Sequence, residues 1–421
     1  MSLGSQFAPG SRLGSRMRAT ARGDSLGWTL SFISFTMLLL NQWSIRIGSG
    51  LPVVVILLFL LPWLWIILRQ PNFALYNIVS NWLLFALPLL ALISTFWSDY
   101  PAWSARAATQ FIATVLVGVI AGSCIKPRSL LSGLLCALSL VTLFSVASGR
   151  TEAVGLTGEH ALVGLFGSKN YFGLSVSFLL LTSVAVWLDR QQPQLLRLLG
   201  MAAALSSPVL LVYAKSTGAI VICLATALII YTLRISYRLL PQFRAILITV
   251  AATSLIMFMI VSTLNFEGLQ NALSYLGKDV TLTGRTFLWE HALSSIADNP
   301  ALGVGYQAYW QPGNPGAEEL WLYAGITNRF GFHFHDTYLQ VAVDLGLFGL
   351  FVLVATLLAI ASRAFSVIVG PKPPPYQLFA IAIFIFLSLR APIEVDLFFQ
   401  FQLPTILLCI SWIYLRRTVR D

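Results

Sequence analysis

Charge is what this sequence has least of: Asp, Glu, Lys and Arg together make up 10% of its 421 residues, against about 25% in a soluble globular domain. A water-exposed surface cannot be built from so few charges, so a soluble fold is excluded. Cysteine is nearly as sparse. Cys124, Cys136, Cys223 and Cys409 lie in or beside apolar stretches, where free thiols act as small hydrophobes and say little about function. The alternating polarity of an outer-membrane barrel is missing, which removes the porin reading. So is a small-residue cleavage site after the first apolar stretch, so the tail bearing Arg12, Arg16, Arg18 and Arg22 is expected to precede a retained helix. No convincing internal repeat is visible, which weighs against many secondary transporters.

What is abundant is hydrophobicity, at 57% of residues. Apolar stretches of about 18 residues or more recur from Leu26 to Leu415, each long enough to cross roughly 30 Å of hydrocarbon as a helix that satisfies its own backbone groups. The pattern predicts an all-α polytopic membrane protein with about 12 transmembrane helices, near residues 27–43, 51–68, 76–97, 107–124, 129–147, 170–188, 195–212, 216–233, 240–262, 336–362, 376–390 and 399–415. The chain then divides into a basic cytoplasmic tail (1–25), a bundle of about nine helices (26–262), one large loop (263–335), a bundle of about three helices (336–415) and a second tail (416–421). An even number of crossings puts both termini on one side. If that side is the cytoplasm, it holds 17 of the 26 Lys and Arg residues, as the positive-inside rule requires. The net charge of +10 therefore belongs to loops that set orientation and meet anionic lipid, and no nucleic-acid partner is implied.

Only one connection is long. From about Thr263 to His335 the composition shifts to Gly, Asn, Asp and Glu with interspersed aromatics, and loops longer than about 15 residues usually have a function. Within it, Arg285 to Ala297 reads as an amphipathic helix stopped by Asn299-Pro300, followed by a Gly303-Val304-Gly305 turn.

The basic residues left on the outer side include Arg106, Lys169, Lys215, Arg285 and Arg390. Ordinary salt bridges with acidic loop residues are one reading of each. Lys215 and Arg390 stand apart because they lie at the ends of apolar spans, where ionisable groups are costly and line protein-filled or watery cavities. Several cations converging from separate helices would form a phosphate or diphosphate site. The four histidines, His160, His291, His333 and His335, also fall on that side. His333, His335 and Asp336 admit three readings: a metal site without spaced ligands to complete it, a structural polar cluster, or acid–base chemistry suited to imidazole.

Several motifs together resemble the O-antigen ligase and lipid-linked polysaccharide polymerase (Wzy-like) membrane family, and more closely its exopolysaccharide-production branch. They are Thr283-Gly284-Arg285-Thr286-Phe287-Leu288-Trp289, Asn299-Pro300-Ala301-Leu302-Gly303-Val304-Gly305, His335-Asp336-Thr337-Tyr338-Leu339-Gln340 and Asp344-Leu345-Gly346-Leu347-Phe348-Gly349-Leu350. Upstream, Ser94 to Pro101 with Arg106, and Gly164 to Asn170, are similar to earlier motifs of the branch. The chain departs from the pattern at Ser168, where many relatives carry histidine, and at Thr217, where arginine is frequent.

The resemblance implies a GT-C-like glycosyltransferase of the bacterial inner membrane that moves a glycan from an undecaprenyl diphosphate carrier to a lipid-linked acceptor at the periplasmic face. It places the functional histidine at His335 and the functional arginine at Arg285. On this reading His335 takes the proton from the attacking hydroxyl, and Arg285, Arg106, Lys169, Lys215 and Arg390 serve the diphosphate. Tyr338, beside His335, joins them as a substrate-binding candidate. No carboxylate stands out as a covalent nucleophile, so the transfer is expected to invert the anomeric centre, without metal or cofactor. The expected partners are the carrier-linked donor, the lipid-linked acceptor, the bilayer and a chain-length regulator. A polymerase is favoured over a ligase acting on lipid A-core. A transporter or flippase is the reading from a different class, and it would place its decisive polar groups near mid-membrane.

Overall fold

The computed structural model describes residues 10–48, 50–154, 159–250, 285–327, 329 and 332–417. The chain is a helical, polytopic membrane protein. Among the described residues, seven helices are long and apolar enough to cross a membrane. An eighth is counted if the bent pair Pro71–Ser80 and Trp82–Phe96 is one span. Pro375–Arg390 and Leu403–Arg416 are shorter apolar helices at the expected positions of the last two spans. The first expected span lies inside the 38-residue helix Gly10–Ile47, whose apolar pattern is diluted by buried Ser31, Ser34, Thr36 and Ser44. The expected span 240–262 and the first part of the long loop extend outside the described residues.

Contacts divide the chain into two compact units. The first comprises residues 1–74 and 120–219. Small residues let its helices approach closely, as is usual where lipid offers no hydrophobic drive for association. A Cβ on Gly133 would lie 2.7 Å from the Ser31 Cβ, and one on Gly200 would lie 2.9 Å from the Ser183 carbonyl. Between Pro127–Ala147 and Lys169–Leu188 the chain forms an antiparallel hairpin, Thr151–Val154 with Glu159–Leu162, that the apolar pattern did not reveal. Arg150 fastens its base, donating to the carbonyls of Gly164 and Phe166 and pairing with Glu152 at 3.0 Å.

The second unit comprises residues 75–119 and 220–421. Two of its expected continuous spans are broken, each for an identifiable reason. The 76–97 stretch bends by 87° around Asn81. There the Asn81 Oδ1 accepts from the Trp412 indole (2.9 Å) and the Arg416 guanidinium (2.8 Å), while Arg416 also donates to the freed Ser80 carbonyl. The polar groups that a break exposes are thus satisfied by the last helix.

The helix Thr337–Val369 is interrupted at Gly346, at φ 66 and ψ −172, a region that only glycine enters without strain. An unbroken helix would bond the amides of 347 and 348 to the carbonyls of 343 and 344. Instead the Leu347 and Phe348 amides donate to the Pro300 and Ala301 carbonyls, and the Val343 and Asp344 carbonyls accept from Val304 and Gly305. The 300–305 turn therefore plugs into the helix break and completes its hydrogen bonding. Contact is too close for side chains: a Cβ on Gly346 would lie 2.2 Å from the Ala301 carbonyl oxygen, and one on Gly303 2.4 Å from that of Val343. Gly346→Ala is expected to cost about 1–3 kcal/mol through backbone conformation alone, and more through the clash. A thermal melt in detergent should show a clear loss relative to Gly370→Ala, and equal melting of the two would contradict this docking.

The segment before Thr337 has its own core, in which Leu288, Ala292, Tyr309, Ala317, Leu320, Trp321, Phe334 and Val343 pack together. It draws on the helices Arg285–Asp298 and Pro315–Tyr323. This core anchors the ends of the segment that carry Arg285 and His335.

Candidate active site

His335 lies between an aromatic anchor and a helix start. Phe334 is fully buried against Tyr309 and Trp310, with ring centroids 4.8 Å away in each case. Its carbonyl accepts from the Trp289 indole at 3.0 Å. On the other side Asp336 caps Thr337–Val369, accepting from the Leu339 amide at 2.9 Å. Burial pushes the Asp336 carboxyl up to about 6, against the backbone N–H groups of Leu339 and Tyr338 and the nearby Arg285 charge. Between these fixed points His335 takes a left-handed backbone at φ 54, a conformation uncommon for a residue with a side chain.

The loop after Arg390 meets this turn. The Thr337 amide donates to the Ala391 carbonyl (2.8 Å), and its hydroxyl donates to the Glu394 carbonyl (2.7 Å). Arg390 is 2% exposed and ion-paired with Asp396, itself buried. Its carbonyl accepts from both the Ile393 and Glu394 amides. Farther along, the Phe398 carbonyl accepts from the Tyr306 hydroxyl, and the Phe401 amide donates to Thr114. Hydrogen bonds to three other parts of the unit thus fix this loop.

Glu394 is the residue on which the site converges. Its Oε2 lies 3.2 Å from His335 Nδ1, and its Oε1 accepts from Arg285 Nη2 at 3.1 Å, while Arg285 Nη1 donates to the Ile393 carbonyl at 2.7 Å. Burial opposes its ionisation, but the hydrogen bond to His335 and the nearby Arg390 cation, joined by the two imidazoles wherever they are protonated, outweigh it, bringing the carboxyl to about 2. An ionised carboxylate only accepts, so Nδ1 of neutral His335 carries the proton and Nε2 keeps a free lone pair. Arg285 uses two of its five N–H donors here and its side chain is 18% exposed. The arrangement offers one proton acceptor and one partly open guanidinium, tied to opposite oxygens of one carboxylate.

His333 is the second imidazole of the site, its ring centroid 4.3 Å from that of His335. His333, His335 and Glu394 could each present one ligand atom to a metal, all within 4.8 Å of one another. In this grouping Glu394 takes the third place that the sequence offered to Asp336, whose carboxylate caps a helix instead. His333 Nδ1 accepts the His335 amide at 3.1 Å, which leaves the ring proton on Nε2. Burial, then the neighbouring His335, pushes this imidazole down to about 3, so it stays neutral.

The other sequence candidates are distributed as follows. Tyr338 follows the His335 turn in the first turn of Thr337–Val369 and is half-buried. Arg106 lies in the same unit, exposed on Pro101–Cys124, with its guanidinium 5.8 Å from the Trp103 ring centroid. Lys169 and Lys215 belong to the first unit. Ser168 caps the helix that Lys169 opens, and Lys215 sits at φ 47 in the turn between two helices. The Ser216 hydroxyl donates to Asn170 at 3.3 Å, which brings these two lysine-bearing segments together.

Fold and site define a polytopic membrane protein whose outstanding polar cluster, His335, Glu394 and Arg285, joins a long inter-helix segment to the loop between the last two helices. Residues 201–354 match the O-Antigen ligase family. The chain is also 30% identical over 347 residues to the exopolysaccharide production protein ExoQ of Rhizobium meliloti (strain 1021), covering 82% of this chain and 79% of that protein. The chain belongs to this family of O-antigen ligase and ExoQ-like proteins. Membership supports a glycosyltransferase-like role in polysaccharide biosynthesis.

Proposed function

We propose that the chain is a polysaccharide polymerase, transferring a growing glycan from undecaprenyl diphosphate to a lipid-linked repeat unit at the periplasmic face. The observation that carries this is the shared carboxylate of Glu394, which sets a base and a phosphate-seeking arginine side by side. His335 Nε2 takes the proton of the attacking sugar hydroxyl. As the glycosyl–oxygen bond to the carrier breaks, the electron pair leaves on the diphosphate, where the remaining Arg285 donors stabilise the growing charge. Arg106 extends this cationic surface within the same unit. Lys169 and Lys215 form an anion-binding pair of the first unit for carrier-linked substrate, and Tyr338 contacts acceptor. Arg390 is assigned to the loop that presents Glu394, because Asp396 holds its guanidinium.

Both oxygens of Glu394 are engaged, which favours direct, inverting displacement over a glycosyl–Glu394 intermediate. The His333 bond to backbone disfavours chelation, because it places a proton on Nε2, the nitrogen left to bind metal. The reaction is accordingly proposed to need no metal. The distribution of basic residues supports cytoplasmic termini and a periplasmic site, and the apolar runs together with the family resemblance support a GT-C-like bundle of about 12 spans.

The ligase is the second reading, favoured by the description of the matching family. Cells lacking the chain distinguish the two. A missing polymerase leaves single carrier-linked repeats and no polymer; a missing ligase leaves carrier-linked polymer and an unmodified lipid A-core. The second pattern would replace polymerase by ligase, and neither accumulation would remove both.

A further inference from the structure

We propose that His333 is a positioning residue: its Nδ1 closes a side-chain-to-backbone turn that holds His335 in the left-handed conformation needed to present Nε2. This rests on the reading of His335 as the base.

The bond runs from the His335 amide to His333 Nδ1 at 3.1 Å, that is, from residue i+2 to a side-chain acceptor on residue i. Asn and Asp form the same closed turn with their side-chain oxygen. Histidine reproduces it because Nδ1, like the Asn Oδ1, stands two bonds from Cβ. His335 gains two anchors in this way, its amide on His333 and its ring on Glu394. Left-handed backbone at a residue with a side chain persists only where the surroundings over-determine it. Here Phe334 is locked in the aromatic core before His335, and Asp336 and Thr337 are fixed after it. The His333 bond is the remaining restraint on the intervening amide. It requires Nδ1 to be the unprotonated nitrogen of the His333 ring, as the bond from the His335 amide places it. The link is local and needs no contact between His333 and substrate.

The two ring nitrogens can be tested separately. Asn places an acceptor where Nδ1 stands, whereas Gln places its amide where Nε2 stands; Leu fills the space with neither. In proteoliposomes with carrier-linked donor, His333→Asn is expected to retain kcat within about threefold. His333→Gln and His333→Leu are expected to lose roughly tenfold or more in kcat with donor KM unchanged, since diphosphate binding rests on other groups. All variants are compared at equal folded protein by size-exclusion profile. Rescue by Gln but not Asn would overturn the proposal in favour of a direct Nε2 role, as base or metal ligand. Wild-type turnover by His333→Leu, or equal loss in Asn and Gln, would also overturn it. If Leu fails to fold, the Asn and Gln pair still decides. His335→Ala in the same assay separates the two levels: if it retains turnover, the base assignment fails, whereas loss there with a contrary His333 pattern removes the positioning role alone.

Discussion

Replacing His335 with alanine is expected to lower the rate of glycan transfer by about 10²–10⁴-fold, the usual contribution of a positioned general base. Protein should remain folded in the membrane, because the backbone on both sides is held by groups other than the ring: Phe334 by the aromatic core, Thr337 by Ala391 and Glu394. Donor binding should survive. The measurement is product formed over time in proteoliposomes by wild type and His335→Ala, with donor binding followed separately. A chelator added to the wild type should change little. Near-normal turnover by His335→Ala would remove the base assignment. Activity abolished by chelation and restored by one metal would instead promote His333, His335 and Glu394 to a metal centre.

The second large effect is expected at the Arg285–Glu394 pair. On the proposed mechanism Arg285→Ala removes a cation from the departing diphosphate, and it leaves Glu394, 6% exposed, without its guanidinium partner. A loss of about 10²–10³-fold is expected, as for other donors that act on charge developing in the transition state. Arg285→Lys should recover only part of this, because an ammonium cannot span the Ile393 carbonyl and the Glu394 carboxylate as the fork does. Glu394→Gln should lower kcat on the order of 10²-fold, since an amide no longer fixes the His335 tautomer or stabilises its protonated form. Full turnover by purified Arg285→Ala would take the arginine out of the site, and full turnover by Glu394→Gln would reduce the carboxylate to a structural link.

How far the sequence could anticipate this arrangement depended on the range over which each signal acts. Apolar runs are local, so most spans and the helical class were legible. His335 and Arg285 stood out because each lies in a motif on the one long loop. Glu394 did not: it reaches His335 across 59 residues and Arg285 across 109, and nothing in its neighbourhood announces those contacts. The available hint was the spacing Arg390, Glu394, Asp396 between two apolar segments, three charges where lipid-facing chain tolerates none. Arg390 was legible as an anomaly, but its partner Asp396 was needed to show how its charge is held. The breaks at Asn81 and Gly346 were hidden for the same reason. Each looks like continuous apolar chain until Arg416 or the 300–305 turn supplies the missing hydrogen bonds.

The reaction proposed for the chain forms a glycosidic bond between two carrier-linked repeats. It is tested most directly by reconstituting purified protein in oriented proteoliposomes with undecaprenyl-diphosphate-linked repeat units as the only glycan. A ladder of carrier-linked oligomers and release of undecaprenyl diphosphate are expected, and only when substrate is presented on the face bearing His335. Donor that is consumed only after lipid A-core is added, or that crosses the bilayer without any new bond, would contradict it.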